Sequence, residues 1–363
     1  MITVGTPYLP DRSRLWSYLE RIYETGQVSN DGPLVRELEE RLKDFLGIDH
    51  LLLVANGTLA LSVAVKALGI AGEAVTTPFT FVATSAALSN QRVRPRYADI
   101  DPATLNLDAE GAEQAVTANT TALVPVHVYG NPCDVRALGE LARRKGLATV
   151  YDAAHALGVD HEGASLLRWG DAVTLSFHAT KLFHTGEGGG IVFRGEEAEQ
   201  RARSLINFGI ERGSGAIRHP GGNAKMSELQ AAMGLAVLED LPDILVRRRE
   251  IQQDYETKLK GWVDFPRWSP DATRNGAYAP ILLEDQGARD RLWSALARAD
   301  IHCRPYFYPA LSTTSPFGTE QRFPNAEATA ARVLCLPVYP GLGEGTIRHI
   351  CETIKKELSP WAG

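Results

Sequence analysis

The stretch AVTLSFHATKLFHTGEGGGIVF, residues 172–193, reads as two hydrophobic strands, AVTLSF and GGIVF, joined by a loop holding one lysine, Lys181. His178 and His184 stand three residues to either side, and the run GEGGG follows. A solvated lysine belongs on a helix face or an open loop, not between strand ends. Partial desolvation, or a neighbouring cation, makes a lysine lose its proton more easily and attack carbonyl carbon. A structural lysine whose tip reaches water is the competing reading.

Around this loop, strands and helices alternate from about residue 34 to 205. The segment PLVRELEERLKDFLG starts on Pro33, suited to a first helical turn, and stops at Gly47. Its Leu34, Leu38, Leu42 and Phe45 share one helical face. Strand HLLLVA, turn NGT and helix LALSVAVKALG come next. Further strands are expected at EAVTTP, RPRYADI, TALVPVHV and ATVYDAA, with helices such as DVRALGELARRKG between several of them. Continuous apolar strands with helical crossovers predict an α/β fold whose mainly parallel sheet is covered on both faces.

Beyond about residue 224 the pattern changes. A helical stretch from Met226 to Lys260 is interrupted near Pro242. It leads to strand AYAPILL, helix DRLWSALARAD, strand HCRPYF and closing helix EGTIRHICETIKKEL. Two domains are expected, a large one over 1–238 and a smaller α/β one over 239–363.

The 38 basic and 44 acidic residues give a formal charge of −6, with no basic stripe. Nucleic acid is therefore excluded as a partner, while a small anionic substrate is not. The N-terminus lacks a signal-peptide pattern, and no run of 18 apolar residues occurs, so no membrane span is expected. Cys133, Cys303, Cys335 and Cys351 show neither CxxC pairing nor metal spacing. A cytoplasmic protein with reduced thiols is the expectation.

Ligands of an open parallel sheet bind beyond the carboxyl ends of its strands. Four groups fall there. At Ala55-Asn56-Gly57-Thr58 a glycine lets backbone approach an anion, and a helix start offers free N–H groups. In PFTFVAT, Phe81 follows a strand end, where an exposed aromatic would stack on a flat ring; a core phenylalanine is the plainer alternative. In YDAAHALG, Asp152 ends a strand and His155 lies three residues on; a carboxylate there needs hydrogen bonds or a positive partner. A metal held by Asp152, His155, Asp160 and His161 is the weaker reading, since no further ligand stands at a recognisable spacing. The fourth group is Ser176 with Lys181. No GxxxxGK[ST] phosphate loop is present. Together these groups ask for a phosphate (Gly57, Thr58, Ser176), a flat ring (Phe81), a protonated ring nitrogen (Asp152) and an aldehyde (Lys181). Pyridoxal 5'-phosphate has all four.

ANGTLAL, TFVAT, YDAAHALG, SFHATK with GEGG, GGNAKMSELQAAMGL and FPNAEATAARVLCLPVYPGL together resemble the sugar aminotransferases of the DegT/DnrJ/EryC1/StrS type, in register over nearly the whole chain. The resemblance implies a type I aminotransferase fold, with a large mainly parallel mixed sheet flanked by helices, and a homodimer with composite active sites. It makes Lys181 the Schiff-base lysine and Asp152 the partner of the pyridine nitrogen. It places His155 beside the cofactor ring, Phe81 at the stacking position, and Gly57, Thr58 and Ser176 on the phosphate. Asn223 matches an asparagine that reaches the phosphate of the neighbouring subunit. HATK and the early SNDGP resemble members that aminate carbon 4 of nucleotide-linked 4-keto-6-deoxyhexoses, with L-glutamate as the donor that the family implies. A dTDP-4-keto-6-deoxyhexose is the substrate this points to. A carbon-3 keto-sugar or keto-cyclitol aminotransferase would keep the same cofactor residues. A cofactor-binding regulator without turnover, or an α/β binding protein for another phosphate ligand, would leave Lys181 and Asp152 unused. The roles of His178, His184 and Glu187 stay open.

Overall fold

The computed structural model describes residues 1–211 and 213–359, so the last four residues of the expected second domain lie outside it. Strand β1 (Ile2–Thr3) opens the chain, followed by β2 (Leu51–Val54), β3 (Glu73–Thr76), β4 (Arg94–Tyr97), β5 (Thr120–Leu123) and β6 (Ala148–Asp152). A small hairpin, β7 (Asp160–His161) and β8 (Ala164–Ser165), precedes β9 (Ala172–Ser176) and β10 (Gly189–Phe193). Then come β11 (Ala279–Leu282), β12 (Ile301–His302) and β13 (Val333–Leu336).

Seven of these strands form one sheet in the order β2-β10-β9-β6-β5-β3-β4. Only β10 runs antiparallel to its neighbours, so the sheet is mixed but mainly parallel. Residues of β2, β3 and β10 are buried throughout, as expected of strands covered on both faces. Register decides where the site lies. Gly189 pairs with both Val54 and Ser176, and Asp152 pairs with Thr174. The carboxyl ends of β2, β6 and β9 therefore share one rim with the start of β10.

The helix Pro33–Leu46 ends at Gly47 in the left-handed conformation (φ 62°). Leu34, Leu38 and Leu42 are buried, whereas Phe45, on the last turn, remains exposed. Its start has no side-chain cap of its own. The carboxylate of Glu228, from the helix Glu228–Leu238, accepts instead from the N–H groups of Leu34 (2.8 Å) and Val35 (3.0 Å). A Cβ on Gly32 would lie 2.4 Å from the Glu228 carboxyl carbon, which explains the glycine of SNDGP.

Two expected strands are shorter than their apolar runs. TALVPVHV is continuous strand to Leu123, with an isolated bridge from Val126 to Asp152 beyond Pro125. Of HCRPYF only His302 lies in a strand, Ile301–His302, with an isolated bridge from Arg304 to Cys335 before Pro305. Proline has no N–H to give a ladder. The helical stretch from Met226 breaks as expected, into Glu228–Leu238 and Leu241–Leu259, with Pro242 in the first turn of the second.

A separate apolar cluster runs from Ile251 to Ile354 and includes Tyr255, Ile281, Leu292, Leu334 and Ile347. Another joins Phe79 and Tyr129 to Phe307 and Phe323, so the C-terminal part packs against the rim of the large sheet. The N-terminus crosses over to that part: β1 pairs in parallel with β12. Among the described residues no helix is long and apolar enough to cross a membrane.

Candidate active site

The loop after β9 is pinned by its aromatic residues. Phe177 and Phe183 are buried edge to face, 5.0 Å between centroids. The N–H of Phe177 donates to Gly188 O (2.8 Å), and that of Thr185 to Phe177 O (3.0 Å). The loop thus folds back on itself and carries Lys181 inward, next to Ser176, His155 and Tyr278 around a small cavity. Lys181 Nζ donates to the Tyr278 hydroxyl at 3.2 Å. Burial lowers the Lys181 pKa to about 8, opposed by Asp152 and Tyr306.

Asp152 is buried at the end of β6. Its Oδ2 accepts from the Thr84 hydroxyl (2.8 Å) and its Oδ1 from the Ala154 N–H (3.1 Å). Burial raises its pKa, while these hydrogen bonds and the charge of Lys181 pull it down. Among the described residues no cation forms an ion pair with it, and a buried carboxylate in that position has capacity for one more positive partner.

His155 is also buried, and its Nδ1 accepts from the Tyr129 N–H (3.2 Å). Its ring stacks parallel to Phe307 and meets Tyr278 edge-on, 4.6 Å between centroids. Burial, followed by the charge of Lys181, drives its pKa well below the ordinary value, so the imidazole is neutral.

Asn56 caps the helix Gly57–Ala67 by accepting from Leu59 N–H (2.9 Å). The first N–H groups of that helix, on Gly57 and Thr58, have no carbonyl within it to bond. A Cβ on Gly57 would sit 2.9 Å from Ser176 Cβ, and one on Gly189 would sit 2.7 Å from the Asn56 carbonyl. These glycines let the helix start close onto β9 and β10, and so bring Gly57, Thr58 and Ser176 to one place. Gln230 ties the same corner, donating to the carbonyls of Ala55 (3.1 Å) and Glu187 (2.6 Å).

In PFTFVAT the buried core residue is Phe79, and Phe81 is 56% exposed. Asn223 is exposed too. Its neighbour Ala224 accepts from the Ala55 N–H (2.8 Å), which fastens the GGNAKMS segment beside the end of β2. The role of His184 is structural, because Nε2 donates to Tyr8 O (2.6 Å) and Nδ1 accepts from Gly186 N–H (3.2 Å). His178 is exposed, with Nε2 3.6 Å from Glu187 Oε1. Asp160 and His161 sit apart on the β7–β8 hairpin, where His161 faces Glu162 and Trp169. Among the described residues no group of three or more His, Cys, Asp or Glu side chains is placed to hold a metal. Tyr278 and Tyr306 reach the site without any motif that marks them, and Thr84 closes the TFVAT run, where nothing in the sequence singles it out.

A lysine and a carboxylate at adjacent strand ends, with a helix start and a serine closed together beside them, define a site for a phosphorylated aldehyde cofactor. Residues 11–355 match the DegT/DnrJ/EryC1/StrS aminotransferase family. The chain is 41% identical over 362 residues to a dTDP-4-amino-4,6-dideoxy-D-glucose transaminase of Shigella dysenteriae, covering 98% of each. A transaminase of the same description from Escherichia coli is 35% identical, over 97% of this chain and 98% of the relative. The structure of DesI solved in the presence of its TDP-sugar product superposes with a TM-score of 0.94 at 36% identity, covering 98% of this chain and 93% of that one. The chain belongs to the DegT/DnrJ/EryC1/StrS aminotransferase family. It has the type I aminotransferase fold and is a sugar aminotransferase that depends on pyridoxal phosphate.

Proposed function

We propose that this enzyme transfers the amino group of L-glutamate to carbon 4 of a dTDP-linked 4-keto-6-deoxyhexose, giving the 4-amino-4,6-dideoxyhexose nucleotide. The observation that carries this reading is the end-to-end 41% identity with a dTDP-4-amino-4,6-dideoxy-D-glucose transaminase.

The residues at the rim fit the cofactor. Asp152, a buried carboxylate with no ion-pair partner among the described residues, suits a protonated ring nitrogen. Lys181, with its pKa drawn down to about 8, suits an aldehyde. The Gly57–Ser176 contact at a helix start suits a phosphate. Once bound, the cofactor supplies a ring that accepts electrons from the carbon whose proton is being moved. Lys181 holds the cofactor and, when free of it, carries the proton to and from that carbon as base and acid. Asp152 keeps the ring nitrogen protonated. Gly57, Thr58 and Ser176 bind the phosphate, Phe81 supplies a stacking face, and neutral His155 flanks the ring. Asn223 serves the phosphate of the other subunit in a cytoplasmic homodimer with composite sites. The exposed apolar side chains of Phe81, Val82, Phe208, Ile217 and Leu229 support such a contact surface.

The test incubates the enzyme with nitrogen-15 glutamate and the dTDP-linked 4-keto-6-deoxy sugar, followed by mass spectrometry and carbon-13 NMR. Label at carbon 4 is expected. Label at carbon 3 would overturn the substrate, and a deoxygenated, unlabelled sugar would overturn the reaction.

A further inference from the structure

The segment Asn275–Tyr278, between the helix Leu241–Leu259 and β11, is held from several sides. Asn275 Nδ2 donates to the carbonyls of His155 (2.8 Å) and Leu157 (2.9 Å). Buried Arg248 donates through Nε to Gly276 O and through Nη2 to Ala277 O, both at 3.0 Å. Gln252, one turn further along the same helix, donates to Tyr278 O (3.2 Å). Gly276 is left-handed (φ 64°), and a Cβ there would come within 2.5 Å of the Arg248 backbone. All of this fixes one phenol against one amine, Tyr278 against Lys181, with the ring edge of Tyr278 on His155.

We propose that Tyr278 is a positioning residue for Lys181: whenever the lysine is off the cofactor, the phenol oxygen accepts a hydrogen bond from its ε-amine and holds it where the proton is exchanged. The inference rests on the reading of Lys181 as the proton carrier. The titratable groups that act on Lys181 are Asp152 from the end of β6, His155 from the turn after it, Tyr278 itself, and Tyr306 from the segment after β12. Burial raises the Tyr278 pKa, so the phenol stays neutral through the working range. A neutral oxygen bonds an ammonium more strongly than an amine, so this contact favours the protonated lysine. Without it a lysine has three rotatable donors on a flexible stem, and the amine would sample positions away from the reacting carbon.

The experiment loads wild type and Tyr278→Phe with pyridoxamine phosphate, which leaves Lys181 free. Brief acetic anhydride labelling across a pH series, read by peptide mass spectrometry, gives the midpoint for Lys181. The phenylalanine variant should label with a midpoint about one pH unit lower, a tenfold loss of proton affinity. A separate sample of the variant loaded with pyridoxal phosphate should show a single-turnover rate with glutamate about tenfold lower than wild type, with the half-saturating glutamate concentration changed less than about twofold. An unchanged midpoint, or a shifted midpoint with an unchanged rate, would overturn the proposal. If Tyr278→Phe misfolds, 4-fluorophenylalanine placed at residue 278 fills the hydroxyl's space with a non-titrating, much weaker acceptor; a shift in the same direction is expected, and none would overturn it. Failure of the underlying reading looks different, because borohydride would then fix the cofactor to some other lysine of the wild-type enzyme.

Discussion

Thr84 donates its hydroxyl hydrogen to Asp152 Oδ2 at 2.8 Å and is itself within 2.9 Å of the Thr80 hydroxyl. The carboxylate at the end of β6 is therefore oriented from the helix Ala83–Asn90, which follows a different strand. A residue that aims a charge is felt in the transition state as well as in binding.

Replacing Thr84 with Val keeps the shape and removes the donor. The Asp152 pKa should rise further, and both half reactions should slow by about tenfold, the worth of one hydrogen bond to a charged group. Asp152→Asn should cost more, on the order of 3 kcal/mol in each half reaction, because an amide cannot keep a ring nitrogen protonated. Stopped-flow measurement with glutamate and then with the keto sugar separates the two steps. Equal rates for Thr84→Val and wild type would remove the orienting role.

Lys181 makes the cofactor-free protein pH-sensitive. Its pKa is about 8 in the fold against 10.5 ordinarily, so between those values the unfolded chain binds more protons. Stability should then rise with pH through that window, the sign expected for a lysine whose pKa is depressed by folding. Lys181→Met removes the cost of burying the charge. The variant should be more stable than the wild-type apo-protein by about 2–3 kcal/mol at pH 7, with the gain shrinking toward pH 10.5. Urea unfolding at four pH values checks both sign and window.

Mixing two dead enzymes tests the composite site. Asn223→Ala and Lys181→Ala homodimers should each be weak or inactive. Subunit exchange creates heterodimers with one intact site if Asn223 serves the opposite subunit, so activity should climb toward one quarter of the wild-type value, as about half the dimers are mixed. Activity that does not rise on mixing would place Asn223 in its own subunit's site or in none.

Glu228 tests a structural contact away from the chemistry. Glu228→Ala would leave the buried N–H groups of Leu34 and Val35 unpaired and take an anion from a helix start. A loss of about 2–4 kcal/mol in urea unfolding is expected. Gly32→Ala should also destabilise, since a Cβ there meets the same carboxylate.

Much of this site is legible in the sequence because its main groups sit at strand ends. Lys181, Asp152 and Ser176 each follow an apolar run, and Gly57 follows another across a tight turn. Residues that arrive by tertiary contact carry no such signal. Thr84 lies 68 residues from Asp152, and Tyr278 lies 97 residues from Lys181. Tyr278 reads only as part of the strand run AYAPILL. His184, between the lysine and the glycines, has an open role in the sequence, and in the structure its two nitrogens are occupied by Tyr8 and Gly186. Phe81 is the opposite case: a core residue is the plainer reading of its apolar neighbourhood, and Phe79 takes that place instead.

The first ten residues touch four distant parts of the chain. Ile2 and Thr3 pair with Ile301 and His302, Val4 O accepts from Val338 N–H, and Tyr8 meets both His184 and Asp240. They behave as a strap drawn from the C-terminal part over to the lysine loop, while adding little to either apolar interior. Cutting that strap would remove the Ile2–Ile301 pairing and the Tyr8–His184 bond together, and slacken the hold of the C-terminal part upon the lysine loop. Lys181 would then feel a change made more than 170 positions before it in the chain, with His184 as one point of contact.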